Sequence, residues 1–251
     1  MSRLGLYLFG PPRLEHDGEP IVVNRRKAMA LMAYLAVSGQ SHSRLALATL
    51  FWLQADQRHA QASLRSTLWA LNKTPLAPYL DVGPETIGLH PEIDMYVDVS
   101  HFRRLLAACQ THAHPPNQMC PACQPLLSEA VGLYRADFLA GFTLADSPDF
   151  DEWQFFQTES LRQELASALE RLVRGYSDQA AYESAIPFAQ RWLALDPLHE
   201  PAHRQLMQLY AWTDDRAAAL RQYQVCVRAF EAEFGLPPSA ETTTLYQHIR
   251  Q

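Results

Sequence analysis

The sequence lacks the features that mark membrane proteins, secreted proteins and disordered chains. No apolar run approaches the roughly 18 residues that a membrane-spanning helix needs. A hydrophobic fraction of 48% with a charged fraction of 19% is typical of a folded globular protein. The first residues run into Gly10, Pro11 and Pro12 without the apolar core and small-residue cleavage site of a signal peptide. We therefore expect a cytoplasmic protein with no membrane partner.

The sequence also lacks the short motifs that carry common catalytic chemistry. It contains no glycine-rich phosphate loop, no Gly-x-Ser-x-Gly nucleophile elbow and no His-Glu-x-x-His metal pair. The paired acids Asp149 and Asp151, and Asp214 and Asp215, fall at expected helix starts, where carboxylates favour the helix dipole and cap backbone amides. These absences predict a protein that is not an enzyme.

A basic excess is missing as well, because the formal net charge is −6. This sign argues against coating of nucleic acid through bulk electrostatics. The charge is nevertheless uneven, since acidic residues crowd between residues 137 and 170. The first 73 residues hold a basic group consisting of Arg25, Arg26, Lys27, Arg44, Arg58, Arg65 and Lys73. The N-terminal part is therefore the part that would accept a polyanion.

The N-terminal part has the pattern of a small α+β domain. Short apolar runs at 4–9 and 20–23 predict an antiparallel sheet. Helices are expected after a cap at Asn24, after Ser41 or Ser43, and over 59–72, with Gly39 ending the first of them. Segments 79–82 and 86–89 around Gly83 predict a β-hairpin.

From Val97 onward the pattern is almost entirely helical, which predicts two domains with a boundary near 91–97. Helices are expected over 98–111, 125–138, 149–176, 179–194, 198–213, 215–234 and 239–249.

The C-terminal part repeats itself at an offset of 34 residues. This offset places Leu172 on Leu206, Tyr176 on Tyr210 and Ala185 on Ala219. It is the period of tetratricopeptide repeats, which are stacked helix pairs that bind proteins rather than carry out chemistry. A generic helical bundle with a chance coincidence is the alternative.

Several segments together carry a family resemblance. They are LGLYLFGPPRLEHDGEPI, RRKAMALMAYLAV, LYRADFLAGF, DEWQFFQTESLRQELASAL, AHRQLMQLYAWTDDRAAALRQYQVC and EFGLPPSAETTTLYQHIR. The chain resembles the bacterial transcriptional activator domain proteins, which include antibiotic regulatory activators and N-terminal parts of larger regulators. The resemblance implies a mostly α fold. It places an α+β winged helix-turn-helix of the OmpR type at 1–96 and an all-α, tetratricopeptide-repeat-like activator domain at 97–251.

The resemblance also implies that the third helix docks in the major groove of promoter DNA. The candidate DNA-binding residues are Arg26, Lys27, Arg44, Arg58, His59, Ser63, Arg65, Ser66, Trp69 and Lys73. A solvated helix face without DNA contact is the alternative. Ala70 and Asn72 stand where the family pattern carries arginine, and the hairpin tip at Glu85 is acidic. These departures predict weak binding by a single copy, which a homodimer could restore.

A cluster of potential metal ligands lies between two expected helices. His112, His114, Cys120 and Cys123 fall within twelve positions and offer two imidazoles and two thiolates to a tetrahedral structural Zn²⁺. A redox-active Cys-x-x-Cys pair and a loop without a ligand are the alternatives. Cys109 and Cys226 lie in helical patterns and are expected to be packed thiols.

Two functions remain open from the sequence. The first is a DNA-binding transcription activator whose helical repeats serve dimerisation or contact RNA polymerase or another protein. The second is a protein-interaction or signalling module, part of a larger regulator, whose winged helix no longer binds DNA strongly.

Overall fold

The computed structural model of the chain describes residues 4–90, 92, 95–112, 114–115 and 119–251. The strands are β1 Leu4–Tyr7, β2 Arg13–His16, β3 Glu19–Ile21, β4 His42–Ser43, β5 Leu80–Val82, β6 Thr86–Leu89 and β7 Met95–Val97. The helices are α1 Arg26–Ser38, α2 Arg44–Phe51, α3 Gln57–Leu71, α4 Asp98–Gln110, α5 Cys123–Leu133, α6 Pro148–Asp178, α7 Tyr182–Leu195, α8 Glu200–Trp212, α9 Arg216–Phe234 and α10 Ala240–Arg250. The fold is mostly helical, as expected. None of the helices in these ranges is long and apolar enough to cross a membrane.

Two compact units divide the chain, and they are not continuous in sequence. Unit 1 comprises Met1–Arg104 and Gly132–Leu161, and unit 2 comprises Leu105–Val131 and Arg162–Gln251. The domain boundary expected between 96 and 97 stays a prediction, and residues 91, 93 and 94 beside it lie outside the described residues.

The first sheet of unit 1 is mixed, with the strand order β3-β2-β1-β7. β1 pairs antiparallel with β2 and parallel with β7. The side chains of Leu4, Leu6 and Leu14 are buried on its inner side. The apolar runs predicted β1 and β3, but the expected wholly antiparallel sheet is wrong, because β7 pairs parallel with β1. β7 was not predicted, and β2 was missed because Leu14 is its only buried side chain.

The three helices after this sheet begin and end at local signals. Gly39 ends α1 in the left-handed conformation, with φ +64°, as the sequence predicts. Ser43 and Asp56 cap α2 and α3 by accepting the backbone N–H groups of Ala46 and His59. The expected cap at Asn24 is wrong, because α1 begins after Arg25 and no side chain caps it.

The predicted hairpin forms a second sheet with the order β4-β6-β5. β5 and β6 pair antiparallel, and His42 of β4 pairs with Ile87 of β6. A Cβ atom on Gly88 would lie 3.2 Å from the Cα of Ser41, so glycine permits this close approach of the backbones.

Residues 132–161 complete the core of unit 1. The expected helix over 125–138 is too long, since α5 ends at Leu133 and the chain then pairs Phe138 with Phe9. Phe150, at the start of α6, lies with its ring centroid 5.4 Å from that of Phe51 in α2. The indole of Trp153 contacts Tyr34 of α1 at 4.9 Å. An aromatic cluster from a distant segment therefore supports the N-terminal helices.

Unit 2 contains two helical hairpins that match at an offset of 34 residues. Ala180, between α6 and α7, and Asp214, between α8 and α9, both adopt positive φ, at 55° and 62°. Ala181 N–H donates to the Tyr176 carbonyl at 2.9 Å, and Asp215 N–H donates to the Tyr210 carbonyl at 2.8 Å. Both turns thus close their first helix in the same way.

The hairpins of unit 2 pack through small residues. Ala185, Ala189, Leu206 and Leu209 are buried in one cluster, with Tyr210 packed against it. The small side chains at 185 and 189 leave room for the neighbouring helices to approach closely.

Candidate nucleic-acid interface

The inner side of α3 anchors the helix in unit 1. Leu64, Leu68 and Leu71 are buried, as the sequence predicts. The 3.6-residue period of a helix then directs the intervening side chains away from the core. The observed helix starts two residues before the expected range of 59–72 and ends one residue before its end.

The outer side of α3 is open to solvent and combines basic, polar and aromatic groups. The exposed residues between the start of α3 and Lys73 are Gln57, Arg58, His59, Ala62, Arg65, Ser66, Trp69, Asn72 and Lys73. Trp69 is 59% exposed, and the Lys73 ammonium lies 3.7 Å from the centroid of its indole ring. This contact holds a cation and a flat aromatic surface together at the C-terminal end of the helix. We refer to Arg58, Arg65, Trp69 and Lys73 as the α3 outer face.

Arg58 and Arg65 are the most available cations of this face. Both side chains are exposed, and neither forms an ion pair or hydrogen bond within the described part of the chain. An unpaired exposed guanidinium can contact a phosphate or a base edge without first breaking a protein contact.

His59 has a structural contact at the N-terminus of α3. Its Nδ1 lies 2.6 Å from Oδ2 of Asp56, the capping residue. Hydrogen bonds from the His59 backbone and side chain hold the pKa of Asp56 below its ordinary value. The carboxylate therefore stays charged beside His59.

Ser66 and Ser63 face a groove of about 800 Å³ in unit 1. The Arg25 Nη1 group donates to the Ser66 hydroxyl at 2.8 Å and to the Ser66 carbonyl at 3.1 Å. The sequence places Arg25 in the basic group but does not predict this hydrogen bond, which ties the start of α1 to the middle of α3. Ser63 is half-buried.

Arg26 and Lys27 bind the segment that follows α5. The Arg26 guanidinium donates to the Thr143 carbonyl at 2.8 and 3.1 Å. The Lys27 ammonium lies 2.7 Å from the Asp146 carboxylate, and its side chain is only 16% exposed. Arg26 and Lys27 are both predicted DNA ligands. In unit 1 their side chains bind Thr143 and Asp146, which lie more than a hundred positions further along the chain.

Arg44 connects the hairpin to the start of α2. Its Nη1 donates to the Gly83 carbonyl at 2.9 Å, and its backbone N–H donates to the Glu85 carbonyl at 2.9 Å. A shallow groove lies between this hairpin tip and Arg65. The exposed side chains of Asp81 and Glu85 make the hairpin acidic.

The four predicted metal ligands come together in unit 2. One ligand atom from each of His112, His114, Cys120 and Cys123 lies within 4.8 Å of all the others. Burial raises the pKa of Cys123 to about 11. Hydrogen bonds from Cys123 and His112 outweigh desolvation at Cys120 and lower the pKa of that thiol to about 6. Cys109 and Cys226 are buried in α4 and α9, as expected for packed thiols.

Comparisons with known proteins give one matching family and a similar solved structure. The sequence profile described as "Bacterial transcriptional activator domain" matches residues 97–250. Among solved structures, the chain is similar to EmbR of Mycobacterium tuberculosis, determined in complex with a low-affinity phosphopeptide. The TM-score is 0.69 at 21% sequence identity, and the match covers 100% of this chain and 65% of that one. No curated protein matched the sequence.

Proposed function

The chain belongs to the bacterial transcriptional activator domain family, and from this premise we propose that it is a transcription regulator that docks α3 of unit 1 on promoter DNA. This membership confirms the resemblance noted in the sequence. In the proposed mode, α2 and α3 form a helix-turn-helix, and the β5–β6 hairpin is the wing beside it. The match to EmbR supports the fold that this mode requires.

The observation that carries the proposal is the exposure of the α3 outer face. Arg58 and Arg65 are unpaired within the described residues, and Trp69 and Lys73 stand together at the other end. Arginine reads guanine edges or binds phosphates with two parallel hydrogen bonds, and lysine supplies a point charge to the backbone. We assign Arg65 to base or phosphate contact near the middle of the helix and Lys73 to the phosphate backbone.

The remaining predicted residues support this face in the proposal. Arg44 holds the wing against α2, while Arg26 and Lys27 fix the start of α1 to residues 143 and 146. The hydrogen bond from Arg25 orients Ser66, and the contact with the capping carboxylate of Asp56 orients His59. Their loss would then weaken DNA binding through the position of α3 rather than through a lost contact.

The helical hairpins of unit 2 are assigned to protein contact. Their 34-residue period and matching turns support a tetratricopeptide-type arrangement, which presents grooves to proteins or peptides. A second copy of the chain or RNA polymerase would be the partner. A homodimer would double the number of phosphate contacts and compensate for the thin charge of one α3 outer face.

The experiment is a fluorescence-anisotropy titration of the gene's own upstream DNA at low and physiological salt. The double variant Arg65→Ala with Lys73→Ala should weaken binding by about tenfold or more, because a base-contacting arginine alone contributes about 1–3 kcal/mol. A matched control is Arg221→Ala with Arg228→Ala, which removes the same charge from exposed positions of α9.

Equal losses in the two double variants would contradict the assignment of the α3 outer face. The acidic hairpin favours the second candidate, a protein-interaction module without strong DNA binding. That candidate predicts that the unmodified chain binds the upstream DNA at low salt no more tightly than it binds unrelated DNA of the same length.

A further inference from the structure

We propose that His112, His114, Cys120 and Cys123 bind one Zn²⁺ ion, which fastens the loop between α4 and α5 in unit 2. The site is separate from the α3 outer face and does not depend on DNA binding. Its function is structural, since four protein ligands complete a tetrahedron and leave no position for a reactive water.

The distances between the ligand atoms fit one small ion. His112 Nδ1 lies 3.0 Å from Cys123 Sγ and 3.3 Å from Cys120 Sγ. His114 Nε2 lies 3.1 Å from Cys123 Sγ, and the two sulfur atoms are 3.5 Å apart. A tetrahedral Zn²⁺ with bonds of about 2.0–2.3 Å separates its ligands by roughly 3.3–3.8 Å. These four separations differ from the tetrahedral values by a few tenths of an ångström, and the remaining pairs lie within 4.8 Å. Side-chain shifts of up to about 1 Å would therefore bring all four atoms to one ion.

The backbone fixes the imidazole of His114 in the form that a metal ligand requires. Its Nδ1 lies 2.9 Å from the Pro115 carbonyl, which can only accept a hydrogen bond. Nδ1 therefore carries the proton, and the lone pair of Nε2 is directed at the cluster. Backbone carbonyls orient metal-binding histidines in this way in many proteins.

Positive groups lie beside the two sulfur atoms. Cys123 is the first residue of α5 and Cys120 comes just before it, where the helix dipole favours negative charge. Arg171 Nη2 lies 3.9 Å from Cys123 Sγ, and Arg171 Nε is buried without a partner among the described residues. A guanidinium beside the sulfur stabilises its charge.

The donor set selects the metal. Two thiolates with two imidazoles suit Zn²⁺, whereas Mg²⁺ and Ca²⁺ require oxygen ligands and iron–sulfur clusters generally use four cysteines. Two thiolates also cancel the charge of the ion, so the bound site is neutral and tolerates its half-buried position.

The ion would fasten the described residues of this loop to the body of unit 2. The side chain of Met119 packs on Gly175 of α6, where the absence of a Cβ atom leaves room for it. Cys123 is the first residue of α5, and Cys109 lies next to it near the end of α4. Coordination would join this N-terminus of α5 to the residues after α4 and thereby hold the two helices in register.

Metal analysis of the full chain tests the proposal. Protein purified under reducing conditions without chelator should contain one Zn²⁺ per chain by inductively coupled plasma mass spectrometry. Cys120→Ser and His114→Ala should reduce this content at least about tenfold, because losing one of four ligands weakens a closed site strongly. Cys226→Ala, which removes a buried thiol outside the cluster, should retain the metal.

Co²⁺ substitution supplies a readout that does not depend on how well a variant folds. The unmodified chain loaded with Co²⁺ should show the intense visible absorption of a tetrahedral site together with sulfur-to-metal charge transfer. Protein without stoichiometric metal, and without these bands on Co²⁺ titration, would overturn the proposal. Formation of a Cys120–Cys123 disulfide under mild oxidation with unchanged metal content would do the same and would favour the redox alternative.

Discussion

At the scale of single residues, we expect a large loss of stability when a buried polar group with a full set of hydrogen-bond partners is substituted. Asp98 is such a residue in unit 1. Its carboxylate accepts the N–H groups of Leu8 at 2.9 Å, Phe9 at 3.0 Å and Val99 at 2.8 Å. It thereby joins the end of β1 to the start of α4.

Replacing Asp98 with asparagine should lower the free energy of unfolding by about 1.5–3 kcal/mol, because a charged acceptor is lost and an amide N–H₂ group faces backbone donors. Equilibrium chemical denaturation measures the change. Asp81→Asn, at an exposed carboxylate of the same unit, should change it little. A smaller effect at Asp98 than at Asp81 would contradict this account.

The buried His203 predicts that the stability of unit 2 depends on pH. The buried imidazole lies 2.9 Å from the Pro197 carbonyl and 2.7 Å from the side-chain amide of Gln222. Burial holds the pKa of His203 below its ordinary value of 6.5. As the pH falls below about 6.5, the unfolded chain binds a proton that the folded chain does not, so the free energy of unfolding falls by at most about 1.4 kcal/mol per pH unit.

Chemical denaturation of the parent chain and of His203→Gln at several pH values between about 5 and 8 measures this effect. The variant should lose the part of the slope that His203 contributes, although its stability at pH 8 is lower. Parallel pH profiles of the two proteins would show that His203 does not contribute.

At the scale of elements, the repeat of unit 2 makes equivalent turns testable. Ala180 and Asp214 both adopt the left-handed conformation, which costs an L-residue other than glycine about 1–2 kcal/mol. Ala180→Gly should therefore raise the free energy of unfolding by about 0.5–1 kcal/mol after the entropy cost of glycine. Asp214→Gly should change it in the same direction by less, since aspartate tolerates this conformation better.

Ala229, inside α9, supplies the control for this pair of substitutions. Glycine in the interior of a helix costs about 1 kcal/mol relative to alanine, so Ala229→Gly should destabilise unit 2. Thermal unfolding followed by circular dichroism ranks the three variants. Stabilisation by Ala229→Gly, or opposite signs at 180 and 214, would contradict the equivalence of the turns.

At the scale of the whole molecule, the N-terminal helices depend on a segment far along the chain. Phe150 is fully buried beside Phe51 of α2. Phe150→Ala should destabilise unit 1 by about 3–5 kcal/mol through lost burial and a cavity. Phe155→Ala, in the same helix at a 60% exposed side chain, is the control.

Hydrogen exchange of α1 and α2 reports whether this loss reaches the N-terminal helices. The Phe150 variant should exchange faster throughout both helices, and the Phe155 variant should not. Unchanged protection of α1 in the Phe150 variant would mean that residues 1–104 fold without the later segment.

The salt dependence of DNA binding is a second property of the whole molecule. With Arg58, Arg65 and Lys73 as phosphate contacts, the logarithm of the affinity should fall against the logarithm of salt concentration with a slope of about −3 per copy. A dimer should give about twice that value. A slope close to zero would contradict the electrostatic basis of the proposed function. With a net charge of −6, the chain as a whole offers no other large electrostatic attraction to DNA.

The sequence by itself determined the order of the helices and most of their bounds. Capping residues such as Ser43, Asp56 and Gly39 act on backbone groups within four positions, so their effect is written locally. The same holds for the 34-residue repeat and for the close spacing of His112, His114, Cys120 and Cys123, which lie in one short loop.

Only the tertiary structure decided which segments share a core and which cations are free. The helical period shows that α6 has an apolar side, but it does not show that Phe150 packs on Phe51. Likewise, Lys27 and Arg65 are both basic positions on helices in the sequence. The Asp146 carboxylate forms an ion pair with the Lys27 ammonium, whereas Arg65 has no such partner in the described residues. Pairing between distant residues depends on how the chain folds back, and no local pattern encodes it.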